Sequence, residues 1–200
     1  MPAISIVVPL YQSERTVAET MRSILAQTFT DFEVIVVNDG SSDNGPAIVE
    51  AFADPRVRVV TQENRGLAGA RNTGIRHAVA PYVAFCDADD LWHPEKLEWH
   101  KRHLDAHPQV GVSFSHSRLI DEASQPLGLT QSPGRDTFTA SDVFCRNPVG
   151  NGSAAVLRRA ALDDVMFEID APEGRRRCWF DESFRQSEDI EMWTRLVATT

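Results

Sequence analysis

Three acidic residues, Asp87, Asp89 and Asp90, fall within four positions directly after Tyr82-Val83-Ala84-Phe85, an apolar run with the composition of a buried strand. Carboxylates this close repel and raise one another's pKa unless a hard divalent cation collects their oxygens. Mg²⁺ and Mn²⁺ take one or two carboxylates together with substrate phosphates, so Cys86-Asp87-Ala88-Asp89-Asp90 points to metal-assisted phosphate chemistry. The same residues also read as a polar loop ahead of a helix, with Asp90 as its cap. Asp39 follows another β-rich run, Val34-Ile35-Val36-Val37, and precedes Gly40. There it could accept a hydrogen bond from the imide N–H of uracil or thymine, with Tyr11 stacked on the ring, although Asp-Gly followed by serines is also ordinary turn chemistry.

Two further stretches carry candidate chemistry. Residues 64–74 place glycine at a helix opening and Arg71 one turn in, which suits a diphosphate met by backbone N–H groups and a guanidinium. The spacing is not GxGxxG, which disfavours a nicotinamide site, and the glycines could equally permit close helix packing. Glu188-Asp189 opens the last helical stretch, where a carboxylate is stabilised by the helix dipole. Asp189 could also be a general base that takes the proton from an acceptor hydroxyl, a role worth about 10²–10⁴ in rate. His93, His100, His103 and His107 include pairs at helical spacing. The flanking Lys101 and Arg102 mark a solvated face, and no cysteine or carboxylate completes a zinc set. No GxSxG elbow appears, and the run Arg175-Arg176-Arg177 reads as a solvated loop.

The elements that must hold these residues alternate. Short β-rich runs at residues 4–8, 34–37, 57–60 and 82–86 are separated by helical stretches, which implies a parallel sheet. Val17, Met21, Ile24, Leu25 and Thr28 fall at helical spacing after a cap expected at Ser13. Asn44-Gly45-Pro46 opens a short helix. A third helix is expected over residues 66–77, with Leu67, Ala70, Ile75 and Ala78 on its inward side, and a fourth over 94–107, with Leu97 and Leu104 inward. Beyond Pro108, residues 110–119 read as strand and 121–136 as loop. Residues 139–142 read as a helix cap, 153–157 as strand, 168–186 as a mobile segment, and 188–197 as a helix with Ile190, Trp193 and Leu196 or Val197 inward. In an open parallel sheet the crevice lies beyond the carboxyl ends of the strands, which gathers Pro9-Leu10-Tyr11, residues 38–43 and residues 87–90 into one pocket.

Two hundred residues make one domain able to bury a substantial core. A formal charge of −9 opposes nucleic acid as a partner, while a metal and a few arginines can still reverse the local field for a nucleotide diphosphate. Three scattered cysteines without CxxC spacing read as reduced thiols of a cytoplasmic protein. No run is long and apolar enough to span a bilayer. The chain stops just after its last helical stretch, which suggests a longer natural chain cut there, whose missing part could reach the inner face of a membrane.

Together these residues resemble the inverting glycosyltransferase family 2, which has the GT-A fold. Residues 4–11 are similar to the family's opening strand, 27–33 to its lead into the second, and 36–43 to its nucleotide-contacting turn. This chain has Asn38 where the family usually has a further acid, and Gln12 where it usually has asparagine. The resemblance extends from residue 4 to about 196 and is loose over 119–187. It implies an α/β fold with a Rossmann-like, mostly parallel sheet flanked by helices and a mixed acceptor-side half. It further implies one catalytic domain over 1–200, with a nucleotide-binding half at 1–110 and an acceptor-binding half at 111–200. Pro9, Tyr11, Asp39, Arg71 and Asp87 would contact the nucleotide sugar, most often UDP-linked. Asp89 of the DxD motif would ligate Mg²⁺ or Mn²⁺, and Asp189 of the ED motif would be the base. The acceptor would be a saccharide, lipid-linked or protein hydroxyl. Two other classes stay open. A metal-dependent nucleotidyltransferase would normally carry a glycine-rich basic loop where this chain has Pro9-Leu10-Tyr11-Gln12, and a silent nucleotide-sugar binding module would need no Glu188-Asp189 pair.

Overall fold

β-branched residues dominate the first strand, β1 (Ile4–Leu10), and all of it is buried because helices cover both faces of the sheet to which it is central. The computed structural model describes residues 1–134, 137–172 and 174–199. β2 (Phe32–Asp39) and β4 (Tyr82–Phe85) flank β1 in parallel, and β3 (Val57–Gln62) lies parallel outside β2. The sheet continues through β8 (Ala155–Arg158) to β5 (Val112–Phe114), in the order β3-β2-β1-β4-β8-β5, with β8 antiparallel to both neighbours. The expected mostly parallel sheet with a mixed second half is therefore present.

The two-residue period of the strands sorts the core into two layers. Ile4, Ile6, Val8 and Leu10 face α1 (Val17–Leu25), α2 (Gly45–Glu50) and α4 (Lys96–Ala106) through Met21, Ile24, Val49, Leu97 and Leu104. Val7, with Ile35, Val37, Val83 and Phe85, faces α3 (Gly66–His77), α6 (Arg159–Asp164) and α7 (Glu188–Thr199) through Ile75, Leu162, Met192 and Trp193. α5 (Ala140–Arg146) opens on a capping box in which Thr139 Oγ1 accepts from the Asp142 amide and Asp142 accepts from the Thr139 amide.

Several expectations need correction. α1 begins at Val17 and ends at Leu25, so Ser13 only closes the preceding turn through its carbonyl, and Thr28 lies outside the helix. Residues 110–119 divide into β5 and a separate strand, β6 (Ser117–Ile120), which pairs with β7 (Pro126–Gln131) in the stretch expected to be loop. Every residue of β7 is exposed, so it carried no burial alternation to read. Positions 135 and 136 of that expected loop lie outside the described residues. Residues 153–157 start as a 3-10 turn, Gly152–Ala154, before β8. The segment 168–186, expected to be mobile, contains the hairpin β9 (Phe167–Ala171) and β10 (Gly174–Cys178), then buried Trp179 and Phe180, with position 173 outside the described residues. The basic run at 175–177 is thus strand rather than loop. On α3, Leu67 is exposed, while every residue from Ala68 to Ile75 is buried. His100 is buried as well, so the histidine-bearing helix does not present a wholly solvated face. On α7, Met192 takes the buried place expected of Ile190. No helix among the described residues is long and apolar enough to cross a membrane.

Candidate active site

The chain runs from β1 outward to β2 and β3, and then α3 carries it back across to β4 on the other side of β1. In an open parallel sheet such a reversal places the ligand crevice beyond the carboxyl ends of the strands on either side of it, here β1 and β4. Pro9 itself is buried inside β1 opposite Val37, whereas Tyr11 is 52% exposed at the rim. The loops after β1 and β2 are laced together. The Gln12 amide donates to Ser41 Oγ at 3.1 Å, Gln12 Nε2 donates to Ser42 Oγ at 3.0 Å, and the Glu14 amide donates to Asp43 Oδ2 at 2.7 Å. Gly40 has φ +74°, and a Cβ there would sit 3.1 Å from the Asn64 nitrogen, so backbone conformation and close approach both favour glycine at this turn.

Asp39, at the end of β2, is buried. Its Oδ1 accepts from Gln62 Nε2 at 2.6 Å and from the Arg65 amide at 2.9 Å. Among the described residues its Oδ2 has no partner, so the carboxylate is fixed by one oxygen and offers the other.

Arg71 joins segments far apart in sequence. Its guanidinium is buried, and Nη1 donates to Glu188 Oε1 at 2.8 Å while Nη2 donates to Asp87 Oδ1 and Oδ2 at 2.9 and 3.1 Å. Burial alone would lower its pKa, but the charges of Asp87, Glu188 and Asp189 outweigh that and raise it. Phe180 and Phe85 lie 5.4 and 6.0 Å from the guanidinium, which adds cation–π attraction. Gly152 makes room for it, since a Cβ there would lie 2.4 Å from Nη2. The fork therefore ties α3 to the acidic loop after β4 and to the first turn of α7, with Arg71 and Glu188 117 positions apart in the sequence.

In the acidic loop, the Asp87 amide donates to Ser153 Oγ at 2.8 Å and the Asp90 amide closes a turn on the Asp87 carbonyl. Asp89 is exposed. Burial, reinforced by the charges of Asp87 and Asp89 and opposed by a hydrogen bond from Ser153, raises the pKa of Asp90. Among the described residues Asp89 has no ion-pair partner. No three His, Cys, Asp or Glu side chains among the described residues form a metal cage. This donor set fits a Mg²⁺ or Mn²⁺ ion that draws most of its oxygens from a diphosphate and solvent, with Asp89 as its protein carboxylate because both oxygens of Asp87 already lie on Arg71. Asp189 opens α7 with Oδ1 accepting from the Ile190 amide at 2.8 Å, and among the described residues its Oδ2 has no partner.

Sequence reasoning missed three residues that hold this arrangement, and named a fourth, Glu188, without its role. Glu188 is the second anchor of Arg71, Gln62 orients Asp39, and Ser153 carries the acidic loop. Asn72 pins the segment before α7, with its Oδ1 accepting from the Trp179 and Phe180 amides and its Nδ2 donating to the Phe180 carbonyl.

A family model described as Glycosyl transferase family 2 matches residues 5–166. This chain belongs to that family. The relatives of this family 2 chain include the UDP-Glc:alpha-D-GlcNAc-diphosphoundecaprenol beta-1,3-glucosyltransferase WfgD of Escherichia coli. It is 42% identical over 96 residues, covering 48% of this chain and 38% of WfgD. The uncharacterized glycosyltransferase alr2836 of Nostoc sp. is 31% identical over 188 residues, covering 89% of this chain and 56% of that protein. Among solved structures, S. aureus TarS 1-349 in complex with UDP superposes with a TM-score of 0.77 at 24% identity, over 100% of this chain and 56% of TarS 1-349. The mannosyltransferase PcManGT from Pyrobaculum calidifontis, in complex with GDP-Man and Mn²⁺, gives 0.67 at 24% identity, over 98% of this chain and 52% of that one. These likenesses show the GT-A fold. The family 2 chain spans little more than half the length of these proteins, and less of WfgD.

Proposed function

We propose that this chain is the donor-binding and catalytic part of a metal-assisted inverting glycosyltransferase that moves a sugar from a nucleotide diphosphate, UDP in our reading, to an acceptor hydroxyl. The observation that carries this is the Arg71 fork, which draws the Asp87 end of the acidic loop and the Glu188-Asp189 start of α7 to one guanidinium. A silent binding module has no need to bring a general base to the donor's carboxylates. Asp39 offers Oδ2 to the imide N–H of the base, and Tyr11 at the rim supplies a ring to stack on it. TarS was solved with UDP and WfgD is named for UDP-Glc, which supports the uridine nucleotide, and the name of WfgD also supports a lipid-linked acceptor.

Asp89 would hold the divalent ion, which when bound offsets the charge of the departing diphosphate. Asp189 accepts the proton of the acceptor hydroxyl on the free Oδ2, while its Oδ1 stays on the Ile190 amide. The acceptor oxygen forms its bond to the anomeric carbon as the bond from that carbon to the diphosphate oxygen breaks. One displacement inverts the centre, and no covalent enzyme intermediate is required. Exclusion of water falls to the stretch ahead of α7, of which residues 183–187 are exposed.

The test is Asp189→Asn. UDP affinity by titration calorimetry should stay within about twofold, while sugar transfer slows by roughly 10²-fold or more. Unchanged transfer would remove Asp189 from the mechanism and return the chain to the binding-module reading.

A further inference from the structure

Lys96, in the first turn of α4, is only 5% exposed, and its ammonium donates to the Ala154 carbonyl at 2.8 Å, to His100 Nε2 at 3.1 Å and to Ser115 Oγ at 3.3 Å. Each of its protons thus has an acceptor, and the Trp92 ring lies 5.4 Å away. Because an ammonium can only donate, His100 must accept at Nε2 and carry its ring proton on Nδ1. That proton goes to Ser113 Oγ at 2.8 Å, and the Ser113 hydroxyl then donates to His103 Nδ1 at 2.9 Å. A buried cation is kept only where something is gained from it.

The gain lies at the turn it grips. In Gly152–Ala154, Ser153 Oγ accepts from the Asp87 amide, the Ser153 carbonyl accepts from Trp92 Nε1 at 3.1 Å, and Gly152 leaves the space that Arg71 fills. We infer that Lys96 is a positioning residue: its ammonium fixes the 152–154 turn, and through Ser153 it fixes the backbone of the acidic loop that receives the diphosphate. This rests on the proposed donor site. The groups facing Lys96 are Cys86 and Asp90 from the end of β4 and the loop after it, and His100 on its own helix, while Ser115 and Ala154 are neutral. Burial lowers its pKa to about 8 in spite of Cys86 and Asp90. Loss of a proton leaves two N–H donors for three acceptors, which loosens the same turn.

The experiment measures UDP binding with Mg²⁺ by calorimetry for the wild type, Lys96→Met, Ser153→Ala and the double variant. Each single variant should weaken UDP by about tenfold, and the double should be weaker than wild type by much less than the product of the two, because both act through one turn. Wild-type affinity should also fall as pH rises from 7 to 8.5, and that fall should vanish in Lys96→Met. Unchanged affinity in Lys96→Met overturns the inference, whatever happens to its melting temperature, since a merely structural lysine would alter stability alone. If Lys96→Met does not fold, the wild-type pH profile decides, and a flat profile overturns it. If wild type itself binds no UDP, the donor reading fails, and this inference with it.

Discussion

Removing Arg71 strips the shared counter-charge from two carboxylates, half-buried Asp87 and buried Glu188. Arg71→Met is expected to lower unfolding free energy by about 3–5 kcal/mol in urea titration, because Asp87 and buried Glu188 lose their shared counter-charge. Arg71→Lys should recover only part of this, since one ammonium cannot reproduce a fork that meets Asp87 with one arm and Glu188 with the other. Gly152→Ala tests the same joint from outside. Its Cβ would lie 2.4 Å from Arg71 Nη2, so about 1–3 kcal/mol of stability should be lost together with UDP affinity. The sequence marked Arg71 as a site residue facing the diphosphate. The carboxylates that it holds were hidden by distance, because nothing local to Arg71 announces a glutamate 117 positions on. Asn72 and Ser153 gave no signal at all, being small polar residues whose work is done on backbone groups of remote segments.

At the scale of elements, the parallel strands were readable because β-branched runs buried on both faces leave few other options, and α3 was bounded correctly at residues 66–77. Its faces were not readable, since a helix of Gly, Ala, Arg, Asn and Thr buries nearly all round when it lies this close to a sheet. Gly74 shows how close: a Cβ there would fall 2.1 Å from Val7 Cγ1. Gly74→Ala should therefore cost about 1–3 kcal/mol, and pairing it with Val7→Ala should cost less than the two separate changes added together. The inward side of α4 was read correctly at Leu97 and Leu104, but its histidine face was misread for another reason. Lys101 and Arg102 beside the histidines disguised the inward turn at His100. Burial, with Lys96 and His103 adding to it, lowers the His100 pKa from 6.5 to about 2. The unfolded chain takes up that proton as pH falls past about 6.5 and the folded chain does not, so stability is lost on acidification. One such group contributes up to about 1.4 kcal/mol per pH unit. His100→Gln should flatten the dependence of unfolding free energy on pH between 6.5 and 4.5, measured by denaturant titration.

For the whole molecule, four parallel strands deliver their carboxyl ends to one edge, and the antiparallel β8 begins at that edge, which is why a turn from the second half can reach Asp87 without a long loop. Donor and ion should therefore stabilise both halves at once. UDP with Mg²⁺ at one hundred times the dissociation constant should add about 2.7 kcal/mol to unfolding free energy, and a chelator should reverse most of it. Equal shifts with and without the ion would contradict an ion-bridged diphosphate.

Synthesis from the N-terminus adds a temporal consequence to the Arg71 fork. A ribosome releases Arg71 and Asp87 long before it decodes position 188, and until then the guanidinium has one of its two anchors and no cover from Phe180. A nascent polypeptide interrupted before that codon should remain open to proteases, because the side of α3 that Phe180 and α7 cover is left bare.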